Sequence, residues 1–524
     1  MGLPARACDL RDMLARALSS AVIGIDAVVV EVEVDLAKGL PSISVVGLPE
    51  GAVREGRERV LAALHNSGFE LPPRRITINL APADLRKEGS AFDLPIAVGI
   101  LAAGELVPSA LLADTCFVGE LGLDGDLRPV RGVLPIVLRA RKAGLRRVIV
   151  PQANAAEAAV VDDIEIVPAA RLSDVVSVLR GAEHTRAHAD VAAVLAATTA
   201  VCDVDYADVK GQEHARRALE IAAAGQHNVL LIGPPGAGKS MLARRLPSIL
   251  PPLTRHEALE LTKVHSVAGR LRANQSLVTA RPFRAPHHTI SDAGLVGGGS
   301  SPRPGEASLA HTGVLFLDEL PEFRRHVLDA LRQPIEDGHI VIGRARSSIV
   351  YPARFMLAAA MNPCPCGYYG DGRGRCTCHS AQVQRYMNRV SGPILDRIDL
   401  HIEVPTLNAR DLTRMEPGEP SAAMRERVLL ARDRQLQRFA ERSQLTANAH
   451  MGARDVRELC VIDDASSILL RKAIQKLGLS ARAYHRILKL SRTIADLAGR
   501  DRIASAHIAE AIQYRSLDRV PVSP

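Results

Sequence analysis

Hydrophobic and polar residues recur with two different periods in the first 180 residues, which is typical of a domain that mixes strands and helices. An alternating segment at Ala27–Leu36, a turn at Lys38–Gly39 and an apolar segment at Ser42–Val46 predict a β-hairpin. The same patterns predict further strands at Arg75–Leu80, Cys116–Gly119 and Arg147–Val150, and helices at Pro49–Ser67, Phe92–Ala103 and Leu134–Ala143. We therefore expect an α/β domain at residues 1–180.

Three further segments, which differ in their hydrophobic pattern, follow this domain. Residues 181–204 are rich in Ala, His, Thr and Asp without a strand pattern, and they predict a linker or a loose helix. Residues 205–407 return to an α/β pattern. Residues 408–524 are almost entirely helical in periodicity, with helices predicted at Ala422–Arg438, Asp463–Leu477, Ala481–Ala498 and Ile503–Arg515.

Composition narrows the classes of function. The 524 residues are 47% apolar and 24% charged, as in a folded protein. The net charge of +8 and the pI of about 9.2 favour an anionic partner such as nucleic acid, although an Arg-rich solvated surface gives the same values. Aromatic residues make up only 3%, so contacts to nucleic acid are expected from Arg, Lys and backbone rather than from base stacking.

The sequence also addresses where the protein works. No apolar run reaches the roughly 20 residues that a membrane span needs. Of the eight cysteines, four are clustered and four scattered, which is not the pattern of a secreted disulfide framework. We expect a cytoplasmic protein with no membrane partner.

A glycine-rich motif, GPPGAGKS, follows the apolar run Val229–Ile232 and precedes a predicted helix. This is the strand, loop and helix context of a P-loop. Its glycines let backbone N–H groups close around phosphate oxygens, and the helix N-terminus favours the anion. We expect Lys239 to contact the β- and γ-phosphates and the Ser240 hydroxyl to bind Mg²⁺. The candidate ATP-binding residues are Gly233, Pro234, Pro235, Gly236, Ala237, Gly238, Lys239, Ser240 and Asp318.

Two more predicted strands end in polar residues. Four apolar residues after Gly313 predict a buried strand that ends at Asp318 and Glu319. Asp318 is expected to complete the Mg²⁺ shell, and Glu319 to polarise the attacking water as general base. The segment Met356–Ala360 predicts another strand, followed by Asn362. Asn362 either orients the attacking water or forms an Asn-Pro turn.

These motifs, in this order and spacing, resemble AAA+ ATPases of the magnesium-chelatase-like group and are most similar to its competence-associated ComM/YifB branch. The resemblance covers essentially the whole chain. It is carried by Gly47–Glu50, Arg284–Ser291, Gly305–His311, Met361–Gly367, Ser391–Asp399 and Arg492–Leu497. It implies an α/β fold with a P-loop AAA+ core and a helical lid, assembled as a homohexamer with ATP between subunits. It also implies that Asn362 is the sensor-1 residue.

The same resemblance assigns two arginines. Arg397 matches the arginine finger, which stabilises charge on the transferring phosphoryl group of the neighbouring subunit. The alternative for Arg397 is a salt bridge to Asp396 or Asp399. Arg482, at the start of a predicted lid helix, matches sensor 2, and Arg486, one turn later, is its rival.

Two insertions resemble those of this branch. The segment His265–Thr312 is similar to a hairpin that projects into the ring pore, and His339–Ile342 with Ser348–Pro352 predicts a second hairpin. The first insertion contains candidates for contact with DNA phosphates, the alternative being a subunit interface: Arg270, Arg272, Arg281, Arg284 and Arg303. No nearby acid or cysteine completes a metal-ligand set with His287 and His288, so we expect a packing or interface role.

A cysteine cluster follows Asn362. Cys364, Cys366, Cys376 and Cys378, with His379 adjacent, are soft metal ligands around a glycine-rich loop. Four such ligands fit a tetrahedral Zn²⁺ site, although the two C-x-C pairs depart from the usual C-x₂₋₄-C spacing. The alternative is four reduced thiols on a mobile loop.

Residues 20–180 resemble the Lon-type peptidase domain, a ribosomal S5-type α/β fold. Ser90 lies near the position of the family's nucleophile, but one position from the strict pattern. Leu134 occupies the position that matches the catalytic Lys. A nucleophile needs a base within reach, so we expect a catalytically inactive domain that binds or scaffolds.

The resemblance implies an ATP-driven DNA motor, a helicase or branch-migration enzyme that acts on single-stranded or branched DNA. Its implied role is to extend incoming single-stranded DNA into the chromosome during natural transformation, and recombination proteins are candidate partners. Two alternatives remain: a chelatase-type motor subunit that drives metal insertion into a tetrapyrrole, and a protein-remodelling or peptidase machine.

Overall fold

The structure is a computed structural model that describes residues 14–49, 51–71, 73–87, 89–197, 204–299, 302–344, 347–370, 372, 374–406, 417–442 and 445–515. Contacts divide the chain into two compact units, one comprising Met1–Ala196 with Ala258–Val278, and the other Ala197–Glu257 with Thr279–Pro524. Residues 258–278, which the sequence places inside the ATPase core, therefore fold with the first unit. In the described ranges, no helix is long and apolar enough to cross a membrane.

The first unit contains a seven-stranded mixed sheet with the order β3-β4-β2-β1-β5-β8-β9. Its strands are β1 (Leu14–Ile23), β2 (Asp26–Ala37), β3 (Ser42–Val46), β4 (Arg75–Ala81), β5 (Thr115–Phe117), β8 (Arg147–Pro151) and β9 (Glu165–Ala169), and β6 (Glu120–Leu121) pairs separately with β7 (Leu127–Arg128). Its helices are α1 (Gly51–Asn66), α2 (Asp93–Ala103), α3 (Val133–Lys142), α4 (Ala155–Ala158), α5 (Leu172–Leu179) and α6 (Val191–Ala197).

The predicted hairpin between β2 and β3 is wrong. β4 lies between these two strands, antiparallel to β2 and parallel to β3. The hairpin partner of β2 is β1, and Gly24 in the intervening turn has φ of +65°. Alternation predicts which segments are strands, but not which strand fills the place beside them.

Helix α2 lies in the hydrophobic core of the first unit. All eleven of its residues are buried, which fits a segment that is apolar on every face. It packs in a cluster with alternate residues of β2, such as Val30, Val32 and Val34. Helix α3 contributes Val133, Leu134 and neighbours to a separate apolar cluster.

The second unit is built on a five-stranded parallel sheet with the order β11-β14-β17-β10-β18. Its strands are β10 (Val229–Ile232), β11 (Phe283–Arg284), β14 (Val314–Leu317), β17 (Met356–Met361) and β18 (Leu400–Glu403), with separate hairpins formed by β12 (Gly297–Gly298) and β13 (Arg303–Pro304), and by β15 (His339–Arg344) and β16 (Ser347–Pro352). The three central strands, β14, β17 and β10, are apolar and buried along their length, as is typical of a parallel sheet with helices on both faces.

Alternate residues of each central strand pack into different apolar clusters. Leu231 of β10 and Phe316 of β14 belong to a cluster that includes the C-terminal helices. Their neighbours Leu230 and Leu317 belong to a second cluster on the opposite face. The sheet is therefore held from both sides, which leaves its strand ends as the accessible surface.

Helices α7 to α21 complete the chain. They are α7 (Glu213–Gly225), α8 (Lys239–Arg244), α9 (Leu246–Ile249), α10 (Arg255–Val267), α11 (Asp292–Val296), α12 (Glu306–Leu309), α13 (Arg325–Ala330), α14 (Arg332–Asp337), α15 (Ser380–Met387), α16 (Gly392–Leu395), α17 (Ser421–Arg438), α18 (Ala453–Leu459), α19 (Asp464–Leu477), α20 (Ala481–Leu497) and α21 (Ser505–Gln513). The C-terminal helices agree with the four predicted ones, with α18 in addition.

Both predicted insertion hairpins have counterparts, but they differ in extent. The second is a regular β15–β16 hairpin with six paired positions. The first contains only the short β12–β13 hairpin, with two paired positions, preceded by α11 and followed by α12. Its residues 300–301, residues 345–346 of the second hairpin, residues 198–203 of the predicted linker and residues 408–416 of the predicted helical region lie outside the described residues.

Candidate ATPase site

Three neighbouring parallel strands bring the candidate site residues together. β14, β17 and β10 are adjacent in the sheet. Asp318 directly follows β14, Asn362 follows β17, and the glycine-rich loop follows β10. Because parallel strands end at the same edge of a sheet, side chains that are far apart in sequence converge there.

The glycine-rich loop, residues 233–238, has the geometry that its glycines predict. Gly236 and Gly238 have φ of +76° and +87°, a region that disfavours other residues. At Gly233 a Cβ would lie 2.2 Å from the carbonyl oxygen of Val404, so the backbone itself passes too close for a side chain. The loop then enters α8, whose N-terminus begins at Lys239.

Lys239 lies at the centre of the site. Its Nζ donates to the carbonyl oxygens of Gly233 and Pro234 at 2.6 and 3.0 Å, and to Asn362 Oδ1 at 3.1 Å. Burial lowers the pKa of Lys239, although the nearby carboxylate of Asp318 opposes this effect. The ammonium group therefore links the glycine-rich loop to Asn362, directly after β17, through hydrogen bonds.

The oxygens of Ser240 and Asp318 form the candidate Mg²⁺ site. The Ser240 hydroxyl donates to Asp318 Oδ2 at 2.6 Å. Hydroxyl and carboxylate oxygens are the hard ligands that Mg²⁺ prefers, usually beside water and substrate phosphates. This donor set fits the ion at the mouth of the glycine-rich loop.

Glu319 has an unusual backbone conformation and a partner that the sequence analysis did not assign. Its φ is +53°, in the left-handed region that few non-glycine residues adopt and that is enriched at functional sites. Its side chain is 60% exposed, and Oε2 lies 3.5 Å from His288 Nδ1. His288 was expected to have a packing or interface role. The segment Arg284–Ser291 is part of the family resemblance, but no periodicity in the sequence links it to Glu319.

Arg397 is paired within its own chain. Its Nη2 lies 2.5 Å from Glu336 Oε1, and its Nη1 donates to the carbonyl oxygen of Pro393 at 2.6 Å. Among the described residues, Arg397 forms no salt bridge with Asp396 or Asp399, so that alternative is wrong. These two acids pair instead with Arg482 and Arg486.

Arg482 and Arg486 are distinguished by exposure. The Arg482 side chain is 66% exposed and lies 3.4 Å from Asp396. Arg486 is largely buried, and its Nη1 lies 2.5 Å from Asp399, which is also 3.2 Å from His227. Arg486 is therefore committed to a buried network, whereas Arg482 is available to a ligand.

Three family models from the comparison with known proteins match three different parts of the chain. The sequence-family model described as magnesium chelatase, subunit ChlI, matches residues 205–412. A second family model for subunit ChlI matches residues 32–154, and the family model for the ChlI C-terminal part matches residues 418–515. Competence protein ComM of Haemophilus influenzae is 49% identical over 509 residues, which cover 97% of this chain and 98% of ComM. The chain belongs to the ComM/YifB family of magnesium-chelatase-like AAA+ ATPases.

Two other relatives show the range of this similarity. YifB of Escherichia coli is 46% identical over 501 residues, covering 95% of this chain and 96% of YifB. The magnesium-chelatase 38 kDa subunit of Rhodobacter capsulatus is 29% identical over 231 residues, covering 40% of this chain and 58% of that subunit. The two ComM/YifB proteins thus match along nearly their whole length, and the chelatase subunit over a part.

The structure separates the candidate DNA-binding arginines of the ComM/YifB-like insertion into two groups. Arg281 is 5% exposed and pairs with Glu257, and Arg284 forms two bonds with Glu306 at 2.6 and 2.7 Å. These two arginines have structural partners and are poor candidates for phosphate contacts. The exposed members of the group are Arg270, Arg272 and Arg303.

The four clustered cysteines also come together. The sulfur atoms of Cys364, Cys366, Cys376 and Cys378 all lie within 4.8 Å of one another. His379 caps helix α15 and is not a member of this group.

In the first unit, Ser90 donates a hydrogen bond to Glu120. Lys87, three residues earlier, is buried and donates to the carbonyl oxygens of Gly47 and Pro82. Leu134 is buried in an apolar cluster. Glu88 lies outside the described residues.

Proposed function

We propose that this protein is the subunit of a homohexameric, ATP-driven DNA motor that supports integration of incoming single-stranded DNA in natural transformation and recombination. The observation that carries the proposal is the convergence of Lys239, Ser240, Asp318 and Asn362 at one sheet edge. It occurs in a chain that is 49% identical, over nearly its full length, to a protein named for competence.

Each residue at this edge has a distinct chemical role in ATP hydrolysis. The glycine-rich loop and Lys239 bind the phosphates, and Ser240 with Asp318 would hold Mg²⁺, which neutralises phosphate charge when bound. Glu319 accepts a proton from the attacking water, and Asn362 orients that water. The contact between Lys239 and Asn362 supports this arrangement because it already joins the phosphate-binding and water-positioning groups.

Assembly into a ring completes the site with arginines. Arg397 acts as the arginine finger on ATP bound by the neighbouring subunit, after exchanging Glu336 for the γ-phosphate. Arg482 acts as sensor 2, which its exposure supports. The helical C-terminal part, residues 408–524, serves as the lid that carries Arg482.

DNA binding depends on charge rather than base stacking. The exposed Arg270, Arg272 and Arg303 contact phosphates, which sets affinity without reading sequence. The first unit is a Lon-peptidase-like scaffold without peptidase activity.

The second candidate is a chelatase-type motor that drives metal insertion through a partner. It is favoured by the partial match to the magnesium-chelatase 38 kDa subunit. A protein-remodelling ATPase is the third candidate. The three differ in which partner stimulates hydrolysis: DNA, a chelatase partner or an unfolded protein.

The first test is ATP hydrolysis by the purified chain, with and without single-stranded and branched DNA. We expect DNA to stimulate hydrolysis, Glu319→Gln to abolish turnover, and Glu322→Gln to retain it. Glu322 is a matched control because it lies three residues away and pairs with Arg389. Hydrolysis that no DNA changes would overturn the DNA motor and favour the other candidates.

A second measurement addresses DNA directly. Stimulation should weaken as salt increases because phosphate contacts release counterions. Arg303→Ala should reduce the slope of this dependence, whereas Arg281→Ala should instead destabilise the fold. An unchanged slope in Arg303→Ala would remove that residue from the DNA contact.

A further inference from the structure

The four clustered sulfurs have the spacing of a metal site. The Sγ of Cys364 lies 3.3 Å from that of Cys366 and 3.8 Å from that of Cys376, and the Sγ atoms of Cys366 and Cys376 are 3.6 Å apart. Around a tetrahedral Zn²⁺ with Zn–S bonds of about 2.3 Å, sulfurs lie about 3.8 Å from each other. A disulfide instead requires an S–S distance of about 2.05 Å.

The loop that carries these cysteines buries few of its residues. Of its described residues between Cys364 and His379, only Cys364 and Gly367 are buried. Glycines at 367, 370, 372 and 374 have positive φ, so the chain turns repeatedly without a packed core. The backbone N–H of Tyr369 donates to Cys364 Sγ at 3.3 Å, which orients that sulfur toward the cluster. A metal cross-link supplies what burial does not.

We propose that Cys364, Cys366, Cys376 and Cys378 bind one Zn²⁺, and that this metal positions Asn362 and the glycine-rich loop for ATP hydrolysis. The second part of this inference rests on the proposed ATPase site, whereas the first part does not. The metal is structural, because all four positions of the tetrahedron are filled by cysteine and none remains for substrate.

Contacts at both ends of the loop from Cys364 to Cys378, called the metal loop below, support the positioning role. Asn362 lies two residues before Cys364, and its side chain accepts a hydrogen bond from Lys239. At Gly367 a Cβ would lie 2.5 Å from Pro235 Cδ, so the metal loop packs directly against the glycine-rich loop. After Cys378 the chain enters α15, where the Tyr386 side chain lies close enough to the backbone of Asn362 to affect the pKa of its hydroxyl.

The first test measures metal rather than activity. The full chain, purified after growth with zinc, should contain about one Zn²⁺ per chain by elemental analysis. Cys376→Ser with Cys378→Ser should lose it, and these two are chosen because neither is fully buried. The control is Cys460→Ser, a buried cysteine outside the cluster that should retain the metal. Wild-type protein that retains no zinc after zinc supplementation would overturn the proposal.

A second probe does not depend on a variant that folds. Wild-type protein stripped of metal and supplied with Co²⁺ should show the visible absorption of a tetrahedral thiolate site. An octahedral spectrum, or no binding of Co²⁺, would exclude a four-cysteine site.

The positioning role is tested by kinetics of ATP hydrolysis without DNA. Metal removal should lower kcat on the order of tenfold or more, with a smaller change in KM, and Zn²⁺ should restore it. Gly367→Ala should retain Zn²⁺ yet lower kcat, because the added Cβ displaces Pro235. Full activity of the metal-free chain would refute the positioning role and leave the metal site intact. A failure of DNA stimulation would affect only the proposed function.

Discussion

Replacing Asp399 with Asn removes a buried negative charge from a network that joins three parts of the second unit. Its carboxylate lies 2.5 Å from Arg486 Nη1 and 3.2 Å from His227 Nδ1, and it accepts the backbone N–H of Asn228 at 3.3 Å. Breaking a buried pair costs about 3–5 kcal/mol because the remaining charge stays buried. Since Asn keeps an acceptor oxygen, we expect a loss of about 3 kcal/mol in the free energy of unfolding.

The matched control is Asp396→Asn, three residues earlier. Its partner Arg482 lies 3.4 Å away, and the two side chains are 46% and 66% exposed. Exposed pairs contribute about 0–1 kcal/mol because water screens them. The same chemical change should therefore have a much smaller effect at position 396.

Urea unfolding at neutral pH, followed by circular dichroism, measures both variants. ATP turnover is measured in parallel, because the Asn228 side chain donates to the carbonyl oxygen of Arg397 at 2.9 Å and so ties this network to the candidate arginine finger. We expect Asp399→Asn to lower turnover under conditions in which it remains folded. Equal destabilisation by the two substitutions, or a cost below about 1 kcal/mol for Asp399→Asn, would refute the argument.

The pH dependence provides a second check on Asp399. Burial alone would raise the pKa of Asp399, but the charge of Arg486 and the hydrogen bond from His227 outweigh it and hold the pKa well below its ordinary value. Its contribution to stability is therefore complete above the unfolded-state pKa of about 3.9 and is lost as the pH falls below it. The difference between wild type and Asp399→Asn should be constant from neutral pH down to about pH 5 and should shrink below about pH 4.

Three further predictions concern single residues of the second unit. Gly233→Ala should abolish ATP binding measured by calorimetry, because its Cβ would lie 2.2 Å from a backbone oxygen, whereas Gly343→Ala should bind ATP normally, because apart from the chain neighbours no described atom lies within 4 Å of a Cβ at that position. Ser240→Ala should raise the Mg²⁺ concentration for half-maximal hydrolysis about tenfold, because it removes an oxygen ligand of the ion and about 1.4 kcal/mol corresponds to a tenfold change in affinity; an unchanged Mg²⁺ titration would contradict the assignment. Burial, with the charge of Arg515, lowers the pKa of His401 to about 3, so stability should fall by about 2 kcal/mol between pH 7 and pH 5 as the unfolded chain takes up the proton. His401→Gln should remove that part of the slope, and an unchanged slope would show that the folded and unfolded chains bind this proton with the same pKa.

The elements of the fold followed closely from local pattern, but the pairing of strands did not. The apolar runs at β10, β14 and β17 and the C-terminal helices were all predicted, because burial on both sheet faces and on one helix face leaves a period in the chain. The hairpin between β2 and β3 was wrong because β4, which follows both in the chain, occupies the place between them. A strand pattern contains no information about which distant strand will compete for its edge.

The candidate site, like the fold, was predicted from sequence only in part. Lys239, Ser240, Asp318 and Asn362 were identified from sequence, because phosphate and Mg²⁺ binding demand particular residue types directly after particular strands. The placement of His288 beside Glu319, and of Gly367 against Pro235, depends on loops whose sequence has no period. Sequence alone therefore predicted which residues meet at the candidate ATP site.

Only the tertiary structure decided which charged side chains are available. Arg281 and Arg303 are equivalent on the basis of sequence, yet one is buried against Glu257 and the other is exposed. Arg482 and Arg486 lie one turn apart, and only Arg486 reaches the buried Asp399. A cation is free or committed according to the acids that the fold brings to it, and those acids come from parts of the chain that local sequence does not specify.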